Sequence, residues 1–321
     1  MADNRPGVQS PHPRVADIDA ESFDYATYAW QDILVSLDAS TGIATVHLHR
    51  PAKANAYTSA MAFSLQFAFE LFDVDPRVKV AILTGTGKTF CVGADLSMGF
   101  RKSATYAQQH RDEGGVCSLA ILRCRKPTIA AVNGTAVGIG MTMILACDFR
   151  LVTNNAKVGI PFTKRGIAME AASSFLLPRL VGVTKALDII LTGDIRSPSD
   201  PSFAALWTRA PYPTADDVLD ATRKLAHQLA TQNSTISMAL CKLQIWRQAQ
   251  SPEHAHLLES QAYWDCAQTD AKEGVDSFFE KRDPKFKGTL NDLERFAVYP
   301  WWTQADVQGW VRRAPPPPSK L

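Results

Sequence analysis

Lys126-Pro-Thr-Ile-Ala-Ala-Val-Asn-Gly-Thr-Ala-Val-Gly-Ile-Gly140 carries an apolar strand, Thr128 to Val132, into a tight turn at Asn133-Gly134. A glycine pair, Gly138 and Gly140, then opens a helix-like run. A strand that enters a glycine-bracketed turn and starts a helix leaves backbone N–H groups unpaired, which is how proteins hold a developing oxyanion. The turn would offer the Ile139 N–H for that purpose. Some thirty positions on, Glu170 stands in Gly166-Ile-Ala-Met-Glu-Ala-Ala-Ser-Ser, a lone carboxylate among apolar and small residues. Poor solvation there raises a carboxyl pKa toward a value useful to a base. An oxyanion donor beside a lone base implies proton transfer next to a carbonyl. The competing expectation for Glu170 is an acidic residue in the first turn of the next helix, favoured by the helix dipole.

A chain of 321 residues with 46% hydrophobic content gives room for one large domain or two modest ones. A net charge of +2, from 34 basic and 32 acidic residues, makes no electrostatic case for nucleic acid or an anionic membrane surface. The longest apolar stretch, around Thr135 to Cys147, is shorter than the roughly 20 residues of a membrane span. The six cysteines form no Cys-x-x-Cys pair and no signal peptide is evident, so reduced thiols in an intracellular compartment are expected.

Residues 1–27 carry Pro6, Pro11 and Pro13 without apolar periodicity and read as a disordered or loosely draped arm. Ile33 to Leu37 and Ile43 to His49 read as a β-hairpin around Ser40 to Gly42. His47 and His49 share one strand face without a third ligand nearby, so strand histidines are expected rather than a metal site. A helix capped by Thr58 or Ser59 ends before Pro76. Val78 to Thr84 is a buried-type strand running into a second glycine-rich turn, Gly85 to Leu96. The Gly-Lys-Thr inside it is not a phosphate loop, because Ile82 stands where that motif needs its first glycine. Arg111, Asp112 and Glu113 read as a solvated charge cluster before a helix restarts at Val116. Three further helices are expected: one with the stripe Val218, Thr222, Leu225 and Leu229, one from Ile236 to Trp246, and one from His256 to Trp264, with Trp246 and Trp264 in the core.

Four stretches together resemble the enoyl-CoA hydratase/isomerase (crotonase) family over about residues 30–290. They are His49-Arg-Pro-Ala-Lys-Ala-Asn-Ala, Phe90-Cys-Val-Gly-Ala-Asp-Leu, Lys126 through Gly140, and the run from Ile160-Pro-Phe through Leu177-Pro-Arg-Leu-Val-Gly to Leu191-Thr-Gly. The resemblance implies an α/β fold: a crotonase (ClpP-like) spiral of ββα units over residues 28–215, with a C-terminal helical trimerisation subdomain over 216–290. It also implies an acyl-CoA substrate and a homotrimer or hexamer. No separate cofactor or metal is implied, since CoA is part of the substrate. By the same resemblance the Ala94 and Ile139 backbone N–H groups hold the thioester oxygen. Lys53, Ala54, Ala56, Asp95, Leu96, Gly138 and Phe162 line the CoA and acyl site, and Phe278 and Lys281 approach CoA, with a subunit boundary between them and the site as one arrangement. For Asp95 a helix cap is an equal expectation.

The carboxylates bear on the reaction. Hydratases of the family typically present two glutamates, at positions that are Thr142 and Phe162 here, whereas Glu170 matches the single glutamate of the peroxisomal Δ3,Δ2-enoyl-CoA isomerase branch. A threonine hydroxyl is a poor base and phenylalanine has no proton to move. The expectation is therefore an isomerase moving a double bond from C3 to C2, in fatty-acid β-oxidation or a related peroxisomal pathway. A hydratase or dual hydratase/isomerase is the alternative, and a non-catalytic CoA-binding or assembly protein is the alternative from another class.

Residues 291–321 read as an extended, proline-rich tail ending in Ser319-Lys320-Leu321, a peroxisomal matrix address read by the import receptor. Deleting those three residues is expected to leave the purified enzyme active and strand it in the cytosol. Fluorescence imaging of tagged full-length and truncated chains checks this, and unaltered peroxisomal import would refute it.

Overall fold

The structure is a computed structural model that describes residues 10–98, 110–296 and 299–303. β1 (Ile33–Asp38) and β2 (Ile43–Leu48) form an antiparallel hairpin with Val35 opposite Val46. α1 (Ser59–Val74) follows, capped by the Thr58 hydroxyl, which accepts from the Met61 N–H at 3.0 Å. Three ββα passes come next. They are β3 (Val80–Gly85), β4 (Thr89–Cys91) and α2 (Glu113–Arg123); β5 (Thr128–Val132), β6 (Thr135–Val137) and α3 (Ile139–Thr142); and β7 (Phe149–Val152), β8 (Val158–Gly159) and α4 (Ser173–Val181). α5 (Val183–Thr192) and β9 (Ile195–Arg196) complete this part.

Each pass lays one strand in each of two sheets. The first sheet has the order β1-β2-β3-β5-β7 and the second β4-β6-β8-β9. The steps β2-β3-β5-β7 and β4-β6-β8 are all parallel, and a parallel step needs a crossover, which the helices supply. Every residue of β3 and β5 is buried, as near-continuous apolar runs predict for strands covered on both faces. The two-residue period sorts them. Ala81, Leu83, Ala130 and Val132 face the main core with α1 and α2, while Val80, Ile82, Ile129 and Ala131 face a second cluster with Val218, Ala226 and Leu229. Those last three lie on α6 (Ala215–Gln232), whose apolar stripe covers the sheet from behind. α7 (Thr235–Trp246), α8 (Pro252–Ala267) and α9 (Ala271–Glu280) form the C-terminal helices. No helix of the described residues is long and apolar enough to cross a membrane.

Several expectations are corrected. From residue 10 the N-terminal segment is not a loose arm: the His12 ring stacks on Phe67 at 5.0 Å between centroids, and its nitrogens hydrogen-bond Tyr28 and Ser64. Tyr25 is buried and donates to Asp75 at 2.8 Å, and Arg77 donates to the Ala20 and Phe23 carbonyls. Short 3-10 turns tied down by side chains have no periodicity to read. Similarly, the tail expected from residue 291 is anchored at its start. A 3-10 turn at Leu290–Arg295 buries Leu290, Leu293 and Phe296 beside α7, a three-residue spacing that suits that helix type. α2 starts at Glu113 rather than Val116. His49 lies past the end of β2, so the two histidines do not share the strand. Trp264 is 67% exposed rather than core, whereas Trp246 is partly buried and donates to Asp148 at 3.3 Å. Ser319 to Leu321 lie outside the described residues.

Candidate active site

Two turns at the C-terminal ends of the parallel strands carry the backbone groups of the site. Ahead of them Asn133 ties the β5–β6 connection to the β3–β4 connection: its amide donates to the Gly85 and Gly87 carbonyls, both at 2.9 Å, and its oxygen accepts from the Gly85 N–H at 3.2 Å. Gly134 has to be glycine, since a Cβ there would sit 2.2 Å from the Lys88 carbonyl oxygen. The turn after β4 touches the turn after β6. A Cβ on Gly93 would lie 3.2 Å from the Val137 oxygen, and one on Gly138 3.7 Å from the Gly93 Cα.

Ala94 and Ile139, the residues after those two glycines, each present an N–H with no hydrogen-bond acceptor among the described residues. The cause differs at the two positions. Ala94 forms a parallel bridge with Tyr57 in which Tyr57 donates to the Gly93 carbonyl and accepts from the Asp95 N–H, both near the usual length, so Ala94 itself is turned away from its neighbour. Ile139 is the first residue of α3, and a helix leaves its first N–H groups unpaired. Gly138 precedes it with φ +58°, a conformation L side chains rarely adopt.

The expected CoA-side residues gather on one rim beside Ala94. Pro51–Lys53 forms a 3-10 turn, Ala54 and Asn55 take left-handed φ values of +50° and +55°, and the buried Asn55 side chain pins the turn to the Thr86 and Thr89 carbonyls. The Ala54 carbonyl accepts from the Val92 N–H, and the Ala56 carbonyl from Arg50 at 2.6 Å. Lys53 and Leu96 are exposed on this rim. Asp95 is a cap after all, accepting from the Ser97 N–H and hydroxyl, and it also pairs with Arg50 at 3.0 Å. Hydrogen bonds from Ser97 and Arg50 lower its pKa.

Glu170 lies at the inner end of the same site. It is partly buried, three residues ahead of α4, so it is not part of that helix's first turn. Its Oε1 accepts from the Thr142 hydroxyl at 2.5 Å. Its Oε2 lies so close to Gly114 that a Cβ there would be 1.8 Å away, and the same Cβ would be 2.7 Å from the Ile139 side chain. The carboxyl group, Gly114 and Ile139 are thus in mutual contact. Burial raises the Glu170 pKa to about 7; the Thr142 hydrogen bond opposes this and the Asp112 charge adds to it. A carboxylate poised there can take or give a proton at neutral pH. Phe162 is buried, with its ring 3.8 Å from where a Gly138 Cβ would be, which places it beside the Gly138 turn.

Phe278 and Lys281 are not brought to this site within the chain. The Phe278 ring is 76% exposed and packs on Phe279, and Lys281 is the left-handed cap of α9. Sequence reasoning missed Asp112, Gly114 and Tyr57. Asp112 is not a solvated charge: it caps α2, accepting from the Gly115 N–H, and reaches the Ala171 N–H at 3.0 Å. Two glycines in the first turn of a helix disfavour it unless something must come close, and that was the available signal. Tyr57 is buried, donates to the Glu113 carbonyl at 3.2 Å and faces Cys117 and Glu170.

Residues 38–289 match the family model described as enoyl-CoA hydratase/isomerase. Over 271 residues the chain is 40% identical to enoyl-CoA hydratase ACTT3 of Alternaria alternata, covering 84% of this chain and 91% of that protein. It is 34% identical over 244 residues to mevalonyl-coenzyme A hydratase sidH of Aspergillus fumigatus, covering 75% and 89%. Among solved structures it is similar to an enoyl-CoA hydratase from Bacillus anthracis, with a TM-score of 0.72 and 30% identity over 80% of this chain and all of that one. The relatives carry hydratase names, which corrects the expected closeness to an isomerase branch.

Proposed function

The chain belongs to the enoyl-CoA hydratase/isomerase (crotonase) family, and from that premise we propose that it hydrates a 2-enoyl-CoA through one carboxylate, Glu170. The observation that carries the reading is a partly buried carboxyl group, its pKa pushed up to about 7 by burial, beside the turns that bear the Ala94 and Ile139 N–H groups, which have no acceptor among the described residues. The thioester oxygen accepts from those two groups, with the CoA portion along the rim of Lys53, Ala54, Ala56, Asp95 and Leu96 and the acyl portion toward Gly138 and Phe162. Ionised Glu170 takes a proton from water as the water oxygen bonds to C3. The electron pair of the double bond moves toward the thioester oxygen, where the N–H groups stabilise the enolate. The same carboxyl then returns its proton to C2, so that one water adds across the double bond. The hydratase names of the relatives support hydration over the isomerase expectation.

Isomerisation is the second reading, and Thr142 and Phe162 favour it because neither can serve as the second acid or base. There Glu170 would take the C2 proton of a 3-enoyl-CoA and return it at C4. Purified protein assayed on both substrates separates the two. Loss of conjugated-thioester absorbance with 2-enoyl-CoA and water is the expected result. Appearance of that absorbance from 3-enoyl-CoA, without hydration, would replace the first reading by the second, and turnover of neither would support a non-catalytic CoA-binding role. A homo-oligomer, trimer or hexamer, belongs to the same proposal, supported by the exposed Val183, Leu187 and Leu191 spaced four apart on α5.

A further inference from the structure

We propose that Asp112 is a positioning residue for Glu170, clamping the peptide plane that follows Glu170 onto the first turn of α2. Asp112 Oδ1 accepts two hydrogen bonds, from the Gly115 N–H at 2.5 Å and from the Ala171 N–H at 3.0 Å. The Ala171 N–H and the Glu170 carbonyl belong to one peptide unit, and Ser173 grips the other side of it, its N–H and hydroxyl donating to the Glu170 oxygen at 3.0 and 2.5 Å. The plane is therefore held at both its polar atoms. Such holding is needed, because Ala171 and Ala172 have φ values of +58° and +55°, which non-glycine residues adopt only when the surroundings over-determine them. Gly115 admits the clamp: a Cβ there would lie 2.7 Å from Asp112 Oδ2. With the backbone fixed by Asp112 and Ser173 and Oε1 held by Thr142, the carboxyl group of Glu170 has one direction in which to point.

The clamp also places a second negative charge beside Glu170. Among the described residues the other titratable groups facing it are Tyr57 and Cys117, and burial keeps both neutral near pH 7, raising the tyrosine well above its usual range and the cysteine to about 12. Asp112 is thus the charge whose removal Glu170 would register.

This inference rests on Glu170 being the base, and three variants test it alongside Glu170→Gln. Asp112→Ser still caps α2, since serine is a good N-cap residue, but its shorter side chain cannot span to Ala171. It should keep the melting temperature within a few degrees and lower kcat by about 10²-fold, the usual cost of misplacing a reacting group by about 1 Å, with KM little changed. Asp112→Asn keeps both acceptor bonds and should restore most of kcat while moving the acid limb of the pH profile to lower pH. Asp112→Ser combined with Glu170→Gln should lose no more activity than Glu170→Gln alone. Wild-type kcat in Asp112→Ser with an inactive Glu170→Gln would overturn the clamp and leave the base in place. Wild-type turnover by Glu170→Gln would overturn both.

Discussion

Glu170→Gln should lower turnover by about 10² to 10⁴-fold, the usual worth of a positioned acid–base group, while acyl-CoA affinity stays close to that of the wild type. The amide preserves the shape and can still accept from Thr142, so the substitution removes proton transfer and little else. The pH dependence gives a second check. The base must be ionised and its pKa is raised to about 7, so kcat/KM should rise with pH through about 7 and then level off. The residual activity of the variant should lack that limb. Stability should move the other way. A carboxyl whose pKa is higher in the folded state than in the unfolded chain binds its proton more tightly when folded, so its contribution is complete below the usual carboxylate range and is lost as pH rises through about 7. Glu170→Gln should therefore melt no lower than the wild type above that pH. Thermal unfolding at pH 5 and 8 beside steady-state kinetics measures both effects, and an active variant with a lower melting temperature would make Glu170 a structural residue.

Much of this arrangement was legible because it lives in backbone chemistry. Thr128 to Val132, Asn133-Gly134 and the glycines at 138 and 140 read locally as a buried-type strand and a turn with a spare N–H, and the structure has both there. The neighbourhood of Glu170 was legible only in part. Its apolar flanks announced a raised pKa, but the groups that shape it, Thr142, Asp112 and Gly114, lie 28 or more positions upstream and meet it through tertiary packing. Asp112 shows the limit most plainly. Beside Arg111 and Glu113 it reads as surface charge, and only the path of the chain brings the Ala171 N–H, 59 residues later, within reach of it. Residues 10–27 were misread for a related reason: prolines and polar residues suggest disorder, while the aromatic side chains that fasten the segment find their partners on α1. Hydration remains the proposal that the hydratase names of the relatives support, whereas Thr142 and Phe162 point to isomerisation, and the two-substrate assay arbitrates between them.

Gly114→Ala should be nearly as damaging as losing the base itself. In an exposed helix, alanine in place of glycine stabilises by about 1 kcal/mol, so propensity alone predicts a sturdier protein. The site predicts the opposite for activity. The new Cβ would stand 1.8 Å from Glu170 Oε2 and 2.7 Å from the Ile139 side chain, far inside contact distance. Oε1 is tied to Thr142 and the following peptide plane is held by Ser173 and Asp112, so the carboxyl group cannot step aside without breaking one of these bonds. A displacement of about 1 Å suffices to cost about 10²-fold in rate, and the Ile139 contact would disturb the oxyanion turn in the same stroke. The displaced carboxyl would also reach solvent more easily, which lowers its pKa and should carry the acid limb of kcat/KM below pH 7. Loss of kcat with a shifted limb and a near-native melting temperature is the expected signature. Full turnover in Gly114→Ala would mean that Glu170 does its work from a position other than the one it occupies against α2.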